Sequence, residues 1–212
     1  FISKKKTKLI NGTGIDLKFF KYKKNLFKRK IIFLLVSRLL YSKGILNYLN
    51  TAKKISKQFK NRCSFFLAVK IDKNFKDSIP ISTLKNFSNC SNIKIFYNVK
   101  SIKNLIKKSN CIVLPTTYNE GLPRSLLEAA SIGRPIITTN VAGCIRVSKN
   151  NYNALIYNKK RPQDLTKCII KFILMKKSKK LDMSLNSYTI AKKFDDKKII
   201  SQYINFLDEK KN

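Results

Sequence analysis

The 212-residue chain carries 46 Lys+Arg against 11 Asp+Glu, a formal charge of +35, with 43% hydrophobic residues and no histidine. That hydrophobic content suits one substantial core and argues against disorder, while the missing histidine argues against a Ser/His/Asp triad. The longest continuous apolar stretch, 31–36, is far too short to span a bilayer, and nothing resembles a signal peptide.

A charge of +35 draws a surface toward phosphates, but lysines dispersed among many Asn and Ile read first as a solvated face. The five cysteines, Cys63, Cys90, Cys111, Cys144 and Cys168, are odd in number and contain no Cys-x-x-Cys, so no zinc site is expected. Several sit in apolar runs, as reduced, buried thiols of a cytoplasmic protein do. The chain opens at Phe1 rather than Met, which predicts a fragment.

In chain order, NGTGIDLKFF (11–20) reads as a Gly-rich turn and aromatic anchor leading into a domain. The apolar runs 31–36, 64–69, 93–96 and 111–114 predict strands buried on both faces, the last ended by Pro115. Between them, Ile45, Leu49, Ala52, Ile55 and Phe59 predict a helix over 44–59, and Ile102, Leu105 and Ile106 a short one over 101–108. A helix over 123–132, a strand over 136–139, a strand over 154–157 and helices over 162–175 and 197–207 follow. Alternating strands and helices predict an α/β fold, a Rossmann-like parallel sheet with helices on both faces. Such sheets bind ligands beyond the C-terminal ends of their strands. The expected organisation is a lead-in segment over 1–20, a Rossmann-like domain over 21–190 and a C-terminal helix over 191–212.

Residues 118–139, YNEGLPRSLLEAASIGRPIITT, hold two of the few carboxylates, Glu120 and Glu128. Pro123 fits the first turn of the predicted helix and Gly133 the position past its end. Backbone N–H groups around Gly121 and Leu122 then face the sheet edge, where a helix N-terminus favours a phosphate. Beside a phosphate, Glu120 is suited to accept from neutral sugar hydroxyls, and Glu128, further along the helix, from a second set such as a ribose. The plainer reading is an Arg124–Glu128 i,i+4 pair and a Glu120 that favours the positive end of the helix dipole.

The spacing Glu, seven residues, Glu within EGLPRSLLEAASIGRPIITTNVAGC (120–144) resembles the donor-site signature of family 4 glycosyltransferases, retaining enzymes of the GT-B arrangement. SRLLYSKG (37–44), NGTGIDLKFF and NNYNALIY (150–157) fall around it in the family's order, so the resemblance runs over about residues 9–207. It covers a C-terminal nucleotide-sugar-binding domain, with no counterpart of the N-terminal acceptor domain. It implies that Arg38 and Lys43 bind the donor diphosphate, that Glu120 holds the transferred sugar, and that Glu128 holds the ribose. Gly121 and Leu122 would then hold phosphate or sugar through their backbone. Arg38, Lys43 and Glu120 are the implied catalytic group. The base is implied near 97–102, at Val99 and Ile102, although FYNVKS (96–101) lacks the family's glycine and AVKIDKN (68–74) its Gly-rich turn. Of the remaining arginines, Arg124 and Arg134 read as salt-bridging and helix-capping residues.

The function so implied is transfer of a sugar, with retention, from a nucleotide diphosphate sugar, a UDP-sugar, to a glycan or lipid-linked acceptor. No cofactor and no metal are expected, since two cations stand where Mg²⁺ would act, and the isolated chain is expected to be inactive. Acceptor binding would come through the missing domain. The expected location is cytoplasmic, peripheral at the inner membrane face, with anionic lipid as a partner. KCIIKFILMKKSKK (167–180) reads either as that lipid contact or as an ordinary amphipathic helix with a Lys-rich exposed face. Two other classes stay open. One is a basic nucleic-acid-binding domain, disfavoured by the lack of a recognition signature; the other is the corresponding half of a GT-B nucleotide-sugar epimerase.

Overall fold

The computed structural model describes residue 12 and residues 14–72 and 75–208. Most of the predicted lead-in segment, including Asn11 and Thr13 of its turn, therefore lies outside the described residues, as do Lys73 and Asn74.

Among the described residues, six strands and eight α-helices follow one another as β1 (Ile31–Arg38), α1 (Ile45–Gln58), β2 (Cys63–Lys70), α2 (Ile81–Ser88), β3 (Ile93–Tyr97), α3 (Ile102–Lys108), β4 (Cys111–Leu114), α4 (Arg124–Ser131), β5 (Ile136–Thr139), α5 (Ala142–Ile145), β6 (Ala154–Tyr157), α6 (Asp164–Leu174), α7 (Lys177–Ala191) and α8 (Asp196–Asp208). Short 3-10 turns cover Tyr41–Lys43 and Lys192–Phe194. All six strands form one parallel sheet in the order β3-β2-β1-β4-β5-β6. The order reverses between β1 and β4, and at such a reversal the loops leaving two neighbouring strands run in opposite directions and open a crevice.

Period-two alternation divides the strand residues between two cores. Ile31, Phe33 and Leu35 of β1, Phe65 and Leu67 of β2 and Cys111 and Val113 of β4 pack with Tyr48, Leu49 and Ala52 of α1 and Leu165, Ile169 and Phe172 of α6. Leu34, Ala68, Ile112 and Leu114 face the other way, onto Leu105 and Ile106 of α3 and Leu126, Leu127 and Ala130 of α4. A sheet covered on both faces needs continuous apolar strands, which is why those runs were legible in sequence.

Three helices escaped sequence reading, α2, the four-residue α5 and α7. In α2 only Leu84 and Phe87 are buried, too few to mark a period. Helix α7 buries Lys180, Met183, Ser184, Ser187 and Ile190, a regular stripe concealed by three polar residues. The stretch 167–180 is correspondingly not one amphipathic helix with its lysines outward. It breaks between Leu174 and Lys177, and Lys180 points inward, donating to the Ile173 carbonyl at 3.0 Å beside the rings of Phe27 and Phe172. Burial lowers the Lys180 pKa accordingly. All five cysteines are free; Cys63, Cys111 and Cys144 are buried, Cys90 and Cys168 only half-buried.

Candidate functional site

The crevice between β1 and β4 is where the predicted residues gather. Strand β1 ends at Arg38, the 3-10 turn after it ends at Lys43, and Gly44 begins α1. Gly44 has φ 73°, and a Cβ there would lie 2.1 Å from the Pro115 carbonyl oxygen. No other residue fits that contact, which draws the turn against the loop leaving β4. Ser42 extends the seam: its carbonyl accepts from the Thr117 N–H at 2.9 Å and the Thr116 hydroxyl at 3.2 Å. Lys43 is thereby aimed at Glu120, and its ammonium makes a direct ion pair with the Glu120 carboxylate. Both side chains are largely buried, and the same carboxylate oxygen accepts from the Thr116 hydroxyl at 3.3 Å. On the far side of the loop, Gly143 of α5 touches Glu120: a Cβ at 143 would sit 2.2 Å from the Glu120 carbonyl oxygen.

Pro123 stands one position earlier than expected, as the N-cap of α4, with its carbonyl accepting from the N–H groups of Leu126 and Leu127 at 3.1 Å. Gly133, with φ 80°, lies just past the C-cap Ile132. Glu128 lies one turn beyond Arg124, whose Nε is 3.5 Å away, the predicted i,i+4 pair. Burial raises the Glu128 pKa above its ordinary value, and Arg124 only partly offsets this. Arg134 caps as expected, but on α3: it donates to the carbonyls of Ile106 and Lys107 in that helix's last turn.

Arg38, Lys43, Glu120 and Glu128 line one cavity of about 280 Å³, together with Pro123, Arg124 and Ser125 of the first turn of α4. A second of about 840 Å³ shares Val36, Ser37, Arg38, Ile102 and Arg124 with it and extends over Val69, Asn98 and Val99. Together they are two lobes of one cleft of a size suited to a small-molecule ligand. The smaller lobe is charged, with the positive end of the α4 dipole in its wall; the larger is walled by Val36, Val69, Val99 and Ile102. Val99 and Ile102 thus fall in the larger lobe. Gly121 and Leu122 line neither; Leu122 packs on the core under α4.

Sequence reading missed several residues here. Asp72 stands 3.8 Å from Arg38, Phe75 lies 4.3 Å beneath its guanidinium, and Asp77 hydrogen-bonds Ser42. Asn98 accounts for the absent glycine in FYNVKS: it takes φ 47°, a left-handed conformation that asparagine tolerates, and its Oδ1 accepts from the Ile71 N–H at 3.1 Å.

The sequence model of the family described as glycosyl transferases group 1 matches residues 17–191. Among curated proteins, the chain is 27% identical to N,N'-diacetylbacillosaminyl-diphospho-undecaprenol alpha-1,3-N-acetylgalactosaminyltransferase of Campylobacter jejuni, covering 94% of this chain and 54% of that protein. An uncharacterised glycosyltransferase of Methanocaldococcus jannaschii is 26% identical over 55% of this chain and 28% of its own length. The chain thus spans about half, or less, of the curated relatives it matches. Among solved structures, Anabaena HepE in complex with UDP and glucose superposes with a TM-score of 0.77 at 17% identity, covering 92% of this chain and 55% of that one. A glycosyltransferase from Rickettsia africae gives a TM-score of 0.75 at 17% identity over 95% and 56%. At such identities these superpositions speak for a shared fold.

Proposed function

The chain belongs to the group 1 glycosyl transferases, and on that premise we propose that its cleft binds the nucleotide diphosphate sugar of a retaining family 4 enzyme, in the role of the C-terminal domain of such an enzyme. The observation that carries this reading is the convergence of Arg38 and Lys43 with Glu120 and Glu128 on one cavity at the reversal of strand order. Arg38 and Lys43 take the diphosphate, Glu120 the transferred sugar, Glu128 the ribose, and the lobe at Val99 and Ile102 the base. A diphosphate placed on Lys43 takes over part of the counter-charge that Glu120 supplies in its absence, leaving Glu120 free to accept from sugar hydroxyls.

Bond breaking sends the electron pair to the departing diphosphate. Arg38, Lys43 and the N-terminal turn of α4 meet that growing negative charge, so they bind the transition state better than the ground state. In this reading the two cations do the work a divalent metal would do. A UDP-sugar as donor is favoured by the UDP and glucose bound to Anabaena HepE, and a lipid-linked glycan as acceptor by the name of the Campylobacter jejuni relative, a transferase acting on a diphospho-undecaprenol-linked sugar.

Calorimetry with UDP, GDP and their sugars tests the assignment. Glu128→Ala is expected to weaken binding of the preferred nucleotide about tenfold, the loss of a charged hydrogen-bond acceptor. A folded wild-type chain that binds no nucleotide would sink it, and binding that collapses with salt yet ignores Glu120 and Glu128 would instead indicate a nucleic-acid surface.

A further inference from the structure

Between Leu17 and Asn119 the sequence has only two acidic residues, Asp72 and Asp77, and both lie on the loop between β2 and α2, against the cationic wall of the cleft. Their contacts differ in kind. The Asp77 carboxylate accepts from the Ser42 N–H at 3.0 Å and from the Ser42 hydroxyl, and the Asp77 carbonyl accepts from the Tyr41 N–H at 2.9 Å. Since the Ser42 carbonyl is held by Thr116 and Thr117, the residue before Lys43 is tied to the loops after both β2 and β4. Asp72 makes a looser contact, its Oδ2 3.8 Å from Nη1 of Arg38, with side-chain exposures of 24% and 40%. A solvated pair at that distance is weak and easily exchanged, whereas three hydrogen bonds on one turn define its position.

The geometry points to Asp77 as a positioning residue for Lys43, and to Asp72 as a resident counter-charge on Arg38 that the diphosphate of a nucleotide ligand displaces. This rests on the nucleoside-diphosphate reading above. Simple charge repulsion would have both carboxylates oppose an anion. Asp77 is set apart because losing its hydrogen bonds frees the turn that aims Lys43, and a misaimed cation loses the directional contact it makes with phosphate oxygens.

The two roles predict opposite signs when UDP and UMP are titrated into the 212-residue chain. Asp77→Ala is expected to weaken UDP about tenfold while UMP changes less than about twofold, and Asp77→Asn, which keeps an acceptor oxygen, to restore most of the UDP affinity. Asp72→Asn is expected to tighten UDP about threefold, the scale of one exposed pair removed. Equal losses of UDP and UMP in Asp77→Ala, or tighter UDP binding in both Asp77 variants, would overturn the positioning role. Unchanged or weaker UDP binding in Asp72→Asn would overturn the counter-charge. Should Asp77→Ala fail to fold, Ser42→Ala removes the hydroxyl but keeps the N–H, and must show a smaller loss confined to UDP. Wild-type binding of UDP with unmoved variants leaves the nucleotide reading standing and removes only this inference; absence of wild-type binding to both UDP and GDP removes both.

Discussion

Methionine in place of Arg134 is expected to destabilise the domain by about 2–4 kcal/mol, the scale of two acceptors left without a donor at once. Arg134 is 1% exposed, and its guanidinium donates to the carbonyls of Ile106 at 3.1 Å, Lys107 at 3.1 Å and Lys23 at 3.0 Å. It therefore closes the C-terminal end of α3, where a cation also meets the negative end of the dipole, and fastens the segment before β1 to the domain. Burial works against this arrangement, pushing the guanidinium down to about 10, still protonated at neutral pH. Methionine removes that desolvation cost and keeps much of the volume, but supplies no donor. The Ile106 carbonyl keeps the Ser109 N–H at 3.2 Å and the Ser109 hydroxyl at 2.9 Å, but the carbonyls of Lys107 and Lys23 lose their guanidinium donor. Two orphaned carbonyls outweigh one relieved charge, so the net sign is destabilising. Thermal unfolding should show a fall in Tm on the order of 10 °C, with Arg134→Lys intermediate because an ammonium cannot span three acceptors in the guanidinium's plane. A change under about 2 °C would mean those carbonyls find other partners.

The legible parts of this fold are those whose signal is local. Strands such as β1 and β4 announce themselves because burial on both faces demands unbroken apolar runs. Helix α7 does not, because its inward stripe contains Lys180, Ser184 and Ser187, tolerated only through contacts made elsewhere, such as the Lys180 bond to Ile173. The same division runs through the site. Arg38, Lys43, Glu120 and Glu128 stand in short motifs at strand ends and could be placed from sequence; Asp77 reaches Ser42 across 35 residues from a loop without period. The glycine missing from FYNVKS has a substitute in Asn98, whose left-handed conformation is a property of the folded backbone and not of the residue type alone. Arg134, read as a helix cap, does cap a helix, yet which one could not be read, since α3 precedes it by 26 to 32 positions and only the tertiary fold brings the two together.

Methionine in place of Lys43 is expected to weaken nucleoside diphosphate binding about a hundredfold, from two effects of the same sign. The first is the lost charge-assisted bond to phosphate, about 1.5–3 kcal/mol by itself. The second comes from Glu120, whose side chain is 13% exposed and whose counter-charge is Lys43. Without it, an uncompensated carboxylate remains in the lobe and repels the incoming anion. The Thr116 hydroxyl at 3.3 Å is a neutral donor and cannot replace the ammonium. A double-mutant cycle separates the two effects: adding Glu120→Gln to Lys43→Met should recover part of the UDP affinity and of the stability lost by the single variant. In the wild-type background the same Glu120→Gln change leaves Lys43 charged and unneutralised, so UDP alone should bind at least as tightly while a UDP-sugar loses the carboxylate's grip on its hydroxyls. If the double variant binds UDP no better than Lys43→Met, the repulsion is absent and Glu120 lies too far from the diphosphate to hold the sugar attached to it.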